Sequence, residues 1–202
     1  VTDLFVEPDG ATPLDDEDAR GLLRTDIALR SELNHAEAEN IASAQSWAFS
    51  RPRALAELLT QAAMKELHRR MFGDVWRWAG TTRQRVTTIG CAPHEIVTDL
   101  ENLLLDVQAQ TANPGHLAWP PDEIAVRFHH RLVSIHPFAN GNGRHARLAA
   151  DLVVVRLGRQ RFTWGRAGDL TDDTVSRRRY LAALRVADRE HRYEPLLEFA
   201  RS

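Results

Sequence analysis

Apolar residues along most of this chain recur three and four positions apart, the spacing of a single helix face, and strict two-residue alternation is scarce. A first helix is expected after the acidic start at Pro13–Asp18. A second opens near Glu32, carries Leu33, Glu37, Asn40, Ile41 and Ala44 toward Trp47, and ends near Arg51-Pro52. Leu55, Leu58, Leu59, Ala62, Leu67 and Met71 make one face of a third helix over Ala54–Met71, closed by Gly73. Residues Thr81 to Val97 break the pattern: Arg83-Gln-Arg-Val-Thr-Thr88 tolerates extended backbone, and Gly90 and Pro93 punctuate it, so a short hairpin or flap is predicted. Helical spacing returns from His94 to Ala112 through Ile96, Leu100, Leu103, Leu104 and Val107.

The loop Asn113-Pro-Gly to Pro120-Pro121 leads into Pro121-Asp122-Glu123, a favourable helix start. Ile124, Phe128, Leu132 and Ile135 stripe the helix that follows, which stops before His136-Pro137. A long helix opens within Gly141–Arg144 and runs through Leu148, Leu152 and Val155 to Gly158. Two more, over Asp172–Asp188 and Tyr193–Ser202, complete an all-α chain with a small β excursion.

At 202 residues, 43% hydrophobic and 27% charged, the chain has the composition of a folded domain rather than a disordered tail. The apolar stretch Leu148–Val155 contains Asp151 and falls far short of the ~20 residues of a membrane span. A lone cysteine, Cys91, excludes an internal disulfide, and the start shows no basic-then-apolar leader; a cytoplasmic protein is expected. The net charge of −2 supplies no global field for nucleic acid.

The chemistry concentrates in His136-Pro-Phe-Ala-Asn140-Gly-Asn-Gly-Arg144-His-Ala-Arg147. Gly141 and Gly143 permit positive φ, so successive N–H groups can turn into one concavity. A helix opening there adds unpaired N–H donors and the positive end of its dipole, which makes an anion site. Arg144 and Arg147, three apart, can reach one polyphosphate. His136, just ahead of that cradle, is placed to take a proton from an attacking hydroxyl.

This string closely resembles the signature of the Fic (Fido) family, His-x-Phe-x-Asp/Glu-Gly-Asn-Gly-Arg-x-x-Arg. Phe72-Gly-Asp-Val-Trp-Arg-Trp-Ala-Gly80 and Phe128-His-His-Arg-Leu-Val-Ser-Ile-His136 also resemble the mobile mystery protein B group of bacterial mobile elements. The resemblance runs from about Glu32 to the C-terminus. It implies a Fic domain over 31–202, built as a helical bundle with a small β-hairpin flap, behind an extension at 1–30 with a short helix.

The implied activity is protein adenylylation: AMP passes from Mg-ATP to a Ser, Thr or Tyr hydroxyl. His136 would be the general base, Phe138 the loop's anchor in the core, and Gly141, Asn142 and Gly143 the anion hole. Arg144 would bind the outer phosphates and Arg147 the γ-phosphate. The flap, with Thr87, Thr88 and Ile89, would dock the target by strand addition. Doc-type kinases of the family carry lysine where this chain has Gly143, which favours adenylylation. The implied partners are ATP, a target protein and an antitoxin, with no membrane and no nucleic acid.

Asn140 departs from the pattern. It stands where the family has the acidic residue that helps to hold Mg²⁺, and an amide oxygen lacks the charge that hard cations favour. Weak activity, a silent nucleotide- or peptide-binding descendant, or transfer of a different phosphate-containing group are the alternatives. The pattern Ser/Thr-x-x-x-Glu-Gly/Asn of an inhibitory helix is matched at Glu39-Asn40, with His35 in place of the hydroxyl residue; Glu39 would then pair with Arg147.

Blander readings compete at other positions. His129-His130 with His136 or His145 suggests zinc, but adjacent histidines on a helix face apart and no thiolate or carboxylate completes the set. Arg177–Arg179 and Arg185 read better as a solvated helix face than as a nucleic-acid patch. Trp76 and Trp78 read as packing beneath the flap, and Cys91 as incidental.

Overall fold

The computed structural model describes residues 16–50, 53–113, 115–165 and 175–202. Helices α1 (Asp16–Ala19), α2 (Arg30–Ser50), α3 (Leu55–Leu58), α4 (Gln61–Phe72), α5 (Ile96–Thr111), α6 (Pro121–Ile135), α7 (Asn142–Arg156), α8 (Val175–Glu190) and α9 (Glu194–Arg201) follow in order. The extension before residue 16, the Arg51-Pro52 stop and the expected helix start at Asp172 lie outside the described residues.

α7 is the centre of the bundle because its sequence is apolar almost all round after the first turn. Ala146, Leu148, Ala149, Ala150, Leu152, Val153 and Val154 are all buried. α6 packs along α7 and presents Ile124, Ala125, Val126, Phe128 and Leu132, each at most 1% exposed. α5 lies on α6, α2 on α4, and α9 on α8. No described helix is long and apolar enough to cross a membrane.

Two expectations need correction. The third helix is two: Thr60 takes extended backbone (φ −131°) and accepts the Ala63 N–H, so it caps a new helix at Gln61 and separates α3 from α4. The β-hairpin flap does not form. Among the described residues this region makes only an isolated antiparallel bridge, Thr82 with Phe138. The hydrogen bonds that a hairpin would make go elsewhere: Arg83 N–H to Pro137 O (2.9 Å) and Cys91 N–H to Ile135 O (3.4 Å). The flap is an irregular loop pinned to the end of α6.

Residues after α1 fold back over the loop that follows α4. Leu23 N–H bonds Val75 O, Arg77 N–H bonds Gly21 O, and the Trp78 indole donates to Asp18 O. Trp76 is thereby fully buried, as the packing reading expected, while Trp78 stacks on it at 5.0 Å.

Candidate active site

α6 ends where His136 turns left-handed (φ 55°), a conformation uncommon for a residue with a side chain, and Pro137 prevents the helix from continuing. The turn is held from the flap side by Arg83, 4% exposed. Its guanidinium donates to His136 O (2.7 Å), Cys91 O (2.6 Å), Arg85 O (2.8 Å) and Ile135 O (3.3 Å). Gly90 sits directly against the turn, since a Cβ there would lie 2.7 Å from that of His136.

The His136 imidazole is 7% exposed, and burial pushes its pKa down to about 4, so it is neutral near pH 7. Nδ1 lies 3.3 Å from Val133 O; a proton there fixes the tautomer in which Nε2 is the basic nitrogen. That is the state a proton acceptor needs.

The loop between His136 and α7 is braced from within. Asn142, 3% exposed, uses both ends of its amide on one residue: Phe138 N–H donates to Oδ1 (2.9 Å) and Nδ2 donates to Phe138 O (2.8 Å). Its side chain is therefore a staple of the loop, and only its backbone amide can serve the anion hole expected of Gly141, Asn142 and Gly143. Gly141 takes φ 77°, and a Cβ there would fall 2.5 Å from the Phe72 ring. The amides of Asn142, Gly143 and Arg144 open the first turn of α7, where the helix itself supplies no acceptor.

His68 was missed by sequence reasoning. Fully buried on α4, it accepts the Gly80 N–H on Nδ1 (2.9 Å), donates from Nε2 to Asn140 O (3.0 Å), and stacks on Phe138 at 3.7 Å. Burial holds its pKa well below 6.5, and the two bonds suit one neutral tautomer. It ties the flap's root to the loop. The only signal in the sequence was a histidine on the apolar face made by Met64, Leu67 and Met71.

The two motif arginines have different fates. Arg144 bonds Glu37 at 2.5 Å, and the other Glu37 oxygen accepts the Trp76 indole N–H at 2.6 Å. Arg147 lies against Tyr180 of α8, with Cζ 5.4 Å from the ring centroid, and makes no carboxylate ion pair among the described residues. Burial lowers its pKa, and Arg144 and Arg177 add to the positive potential. Asp151, one turn along α7, feels the Arg147 charge but makes no ion pair with it, and a sunken guanidinium with no paired carboxylate among the described residues, beside a helix N-terminus, invites an anion.

Glu39 does not reach this site. Its side chain is 69% exposed and sits 3.3 Å from His35 on the same helix face, so the expected pairing with Arg147 is not made. Glu37, two residues earlier and 6% exposed, is the glutamate of α2 that enters the motif, and it meets Arg144. The zinc reading also dissolves: His129 Nε2 bonds Tyr180 while His130 Nε2 bonds Asp188, with no convergence.

The loop fits a protein-held magnesium ion poorly. Asn140 Oδ1 accepts the Gly141 N–H at 2.5 Å, and Glu37, the described carboxylate that reaches the motif, is engaged by Arg144 and Trp76. Thr87, Thr88 and Ile89 occupy the outer flap, where the Thr87 hydroxyl donates to Ile89 O (2.6 Å). Val86 (77%) and Ile89 (37%) are exposed there.

The Fic/DOC family pattern matches residues 58–154, which contain every element of this loop. The protein adenylyltransferase Fic of Nematostella vectensis is 29% identical over 143 residues, 69% of this chain and 33% of that protein. The uridine 5′-monophosphate transferase of Xanthomonas campestris is 56% identical over 44 residues, 22% of this chain and 7% of that protein. The chain thus spans a third or less of the length of these curated relatives. Among solved structures, the Bartonella tribocorum effector BepC with bound AMPPNP has a TM-score of 0.67 at 16% identity, covering 93% of this chain and 97% of that one, a likeness of fold. The segment 58–154, with its glycine loop and helix N-terminus, is thus similar to the Fic/DOC family.

Proposed function

We propose that this chain is a protein adenylyltransferase that moves AMP from ATP onto a Ser, Thr or Tyr hydroxyl of a target protein. One observation carries the reading. A neutral His136 with Nε2 basic stands at one end of a braced loop, and α7 opens at the other with its first amides and Arg147, which makes no carboxylate ion pair among the described residues.

In the proposed reaction His136 Nε2 takes the proton of the target hydroxyl as its oxygen attacks the α-phosphorus. The bond from that phosphorus to the bridging oxygen breaks, and pyrophosphate leaves. The amides of Asn142, Gly143 and Arg144 receive the charge that develops on the α-phosphate, fixed in place before reaction. Arg147 holds the outer phosphates. Arg144 joins it by exchanging Glu37 for phosphate. The target segment lies along Val86–Ile89, the exposed edge of the flap beside His136. The magnesium ion implied by the family resemblance would be carried by the phosphates of ATP, because the loop offers it only Asn140.

A second reading, transfer of UMP from UTP, is favoured by the short, high-identity match to the Xanthomonas uridine monophosphate transferase. Incubating the purified chain and a cell lysate with α-labelled ATP or UTP separates them. AMP on protein supports the first reading, UMP the second, and no protein-bound label overturns both.

A further inference from the structure

We infer that Tyr180 of α8 is a third member of the polyphosphate site: it holds the Arg147 guanidinium beside the first turn of α7 and offers its own hydroxyl proton to the bound anion. The inference deepens the adenylyl-transfer reading and rests on its placement of the nucleotide.

Tyr180 is 5% exposed, with its ring against Phe199 (5.6 Å) and His129 (5.8 Å). The hydroxyl, however, is not directed into apolar packing. A Cβ added to Gly143 would lie 3.9 Å from the Tyr180 oxygen and 3.7 Å from Arg147 Nη1, so both polar groups face the first turn of α7. The Arg147 side chain hydrogen-bonds the Tyr180 hydroxyl, and that oxygen stands 3.1 Å from His129 Nε2.

The proton inventory decides which way the hydroxyl points. His129 is fully buried, and its pKa is pushed well below 6.5 by burial and by the nearby Arg147 charge, so the ring carries one proton. Its Nδ1 is buried without a partner among the described residues. A proton on Nδ1 would be a buried donor with no acceptor, a rarer defect than a buried lone pair without a donor. The proton therefore sits on Nε2 and is donated to the Tyr180 oxygen. Arg147 donates to the same oxygen, since a guanidinium has no lone pair to accept with. The tyrosine's own proton is then left over, and the groups around it are the α7 N-terminus, Arg147 and, at longer range, Arg177. Among the described residues no carboxylate takes it: Asp151, one turn along α7 and within reach of the Arg147 charge, accepts from the Phe162 amide and the Trp164 indole and lies 3.6 Å from Arg161. The Tyr180 proton, the remaining Arg147 N–H groups and the open amides of α7, which meet no acceptor among the described residues, define a site for the oxygens of a polyphosphate.

Calorimetric titration of wild type and Tyr180→Phe with inorganic tripolyphosphate, ATP and AMP tests this. The phenylalanine keeps the ring's packing, so its unfolding midpoint should stay within a few degrees of wild type. Tripolyphosphate and ATP should bind about tenfold more weakly to the variant, the loss of one hydrogen bond to a charged group, while AMP changes less than twofold. Unchanged tripolyphosphate binding, an equal loss for all three ligands, or no tripolyphosphate binding by wild type overturns the inference. A selective tripolyphosphate loss in a chain that transfers no nucleotide upholds it and overturns the adenylyl-transfer reading instead.

Discussion

Replacing Glu37 with glutamine should weaken the fold and strengthen nucleotide binding, two effects of opposite sign from one substitution. Glutamine keeps an oxygen for the Trp76 indole, 2.6 Å away, and removes the charge that holds Arg144 at 2.5 Å. The pair is partly buried, with side chains 8% and 23% exposed, so solvent screens it only in part. A hydrogen bond between charged groups of this kind is worth roughly 1.5–3 kcal/mol. Without ligand, that much stability is lost, which in a domain of this size lowers the unfolding midpoint by roughly 3–12 °C. If Arg144 must leave Glu37 to meet the outer phosphates, the same energy is subtracted from ATP binding in the wild type. Removing the competitor then tightens ATP by roughly 10- to 100-fold. Scanning calorimetry and ATP titration on the same preparations read both quantities. A variant that loses stability but binds ATP no more tightly would refute the reasoning, because Arg144 would then be a structural partner of Glu37 and no phosphate ligand.

Three further predictions follow from the same contacts. Asn142→Ala strands the buried N–H and C=O of Phe138 and should cost about 2–5 kcal/mol, read by denaturant unfolding; a cost under 0.5 kcal/mol would mean that the loop does not depend on this staple. Acid should destabilise the chain below pH 6.5. His136 and His145 are neutral when folded, with pKa near 4, so the unfolded chain binds more protons between pH 6.5 and 4, and each can remove up to about 3 kcal/mol across that window. Asp151, raised to about 6, works the other way: its contribution is present below pH 3.8 and lost as pH rises through 6. A flat unfolding midpoint from pH 7 to 4.5 would contradict the balance, and His145→Gln should shallow the slope. Asn140→Asp keeps an oxygen for the Gly141 amide and adds the missing charge, so half-maximal ATP binding should need severalfold less magnesium; an identical titration would place this side chain away from the ion.

The helices were legible where a long apolar stripe met clear ends. Pro121 with Asp122 and Glu123 opens α6, and His136-Pro137 closes it, as the spacing indicated. The glycine loop was legible because its composition has few other uses. The sequence misled where the deciding partner is remote. Residues 83–88 have the composition of a strand, but Arg83 draws the carbonyls of Arg85, Cys91, Ile135 and His136 to one guanidinium, and no described strand pairs with them. Glu39 fits a short pattern, yet two residues on a helix are some 200° apart, and the buried face belongs to Glu37. Its partners are Trp76 and Arg144, 39 and 107 positions away. His68 and Tyr180 sit at apolar spacing, which marks out no polar role; only the fold shows that their polar atoms face the loop and the start of α7.

The most direct test of the central claim is to supply the chain and a lysate with ATP labelled either on the α- or on the γ-phosphorus, for wild type and His136→Ala. Label from the α position should appear covalently on protein with wild type, none from the γ position, and none from either with His136→Ala, whose ATP affinity stays within severalfold. Protein-bound label from the γ position, or equal α-label transfer by His136→Ala, would contradict it.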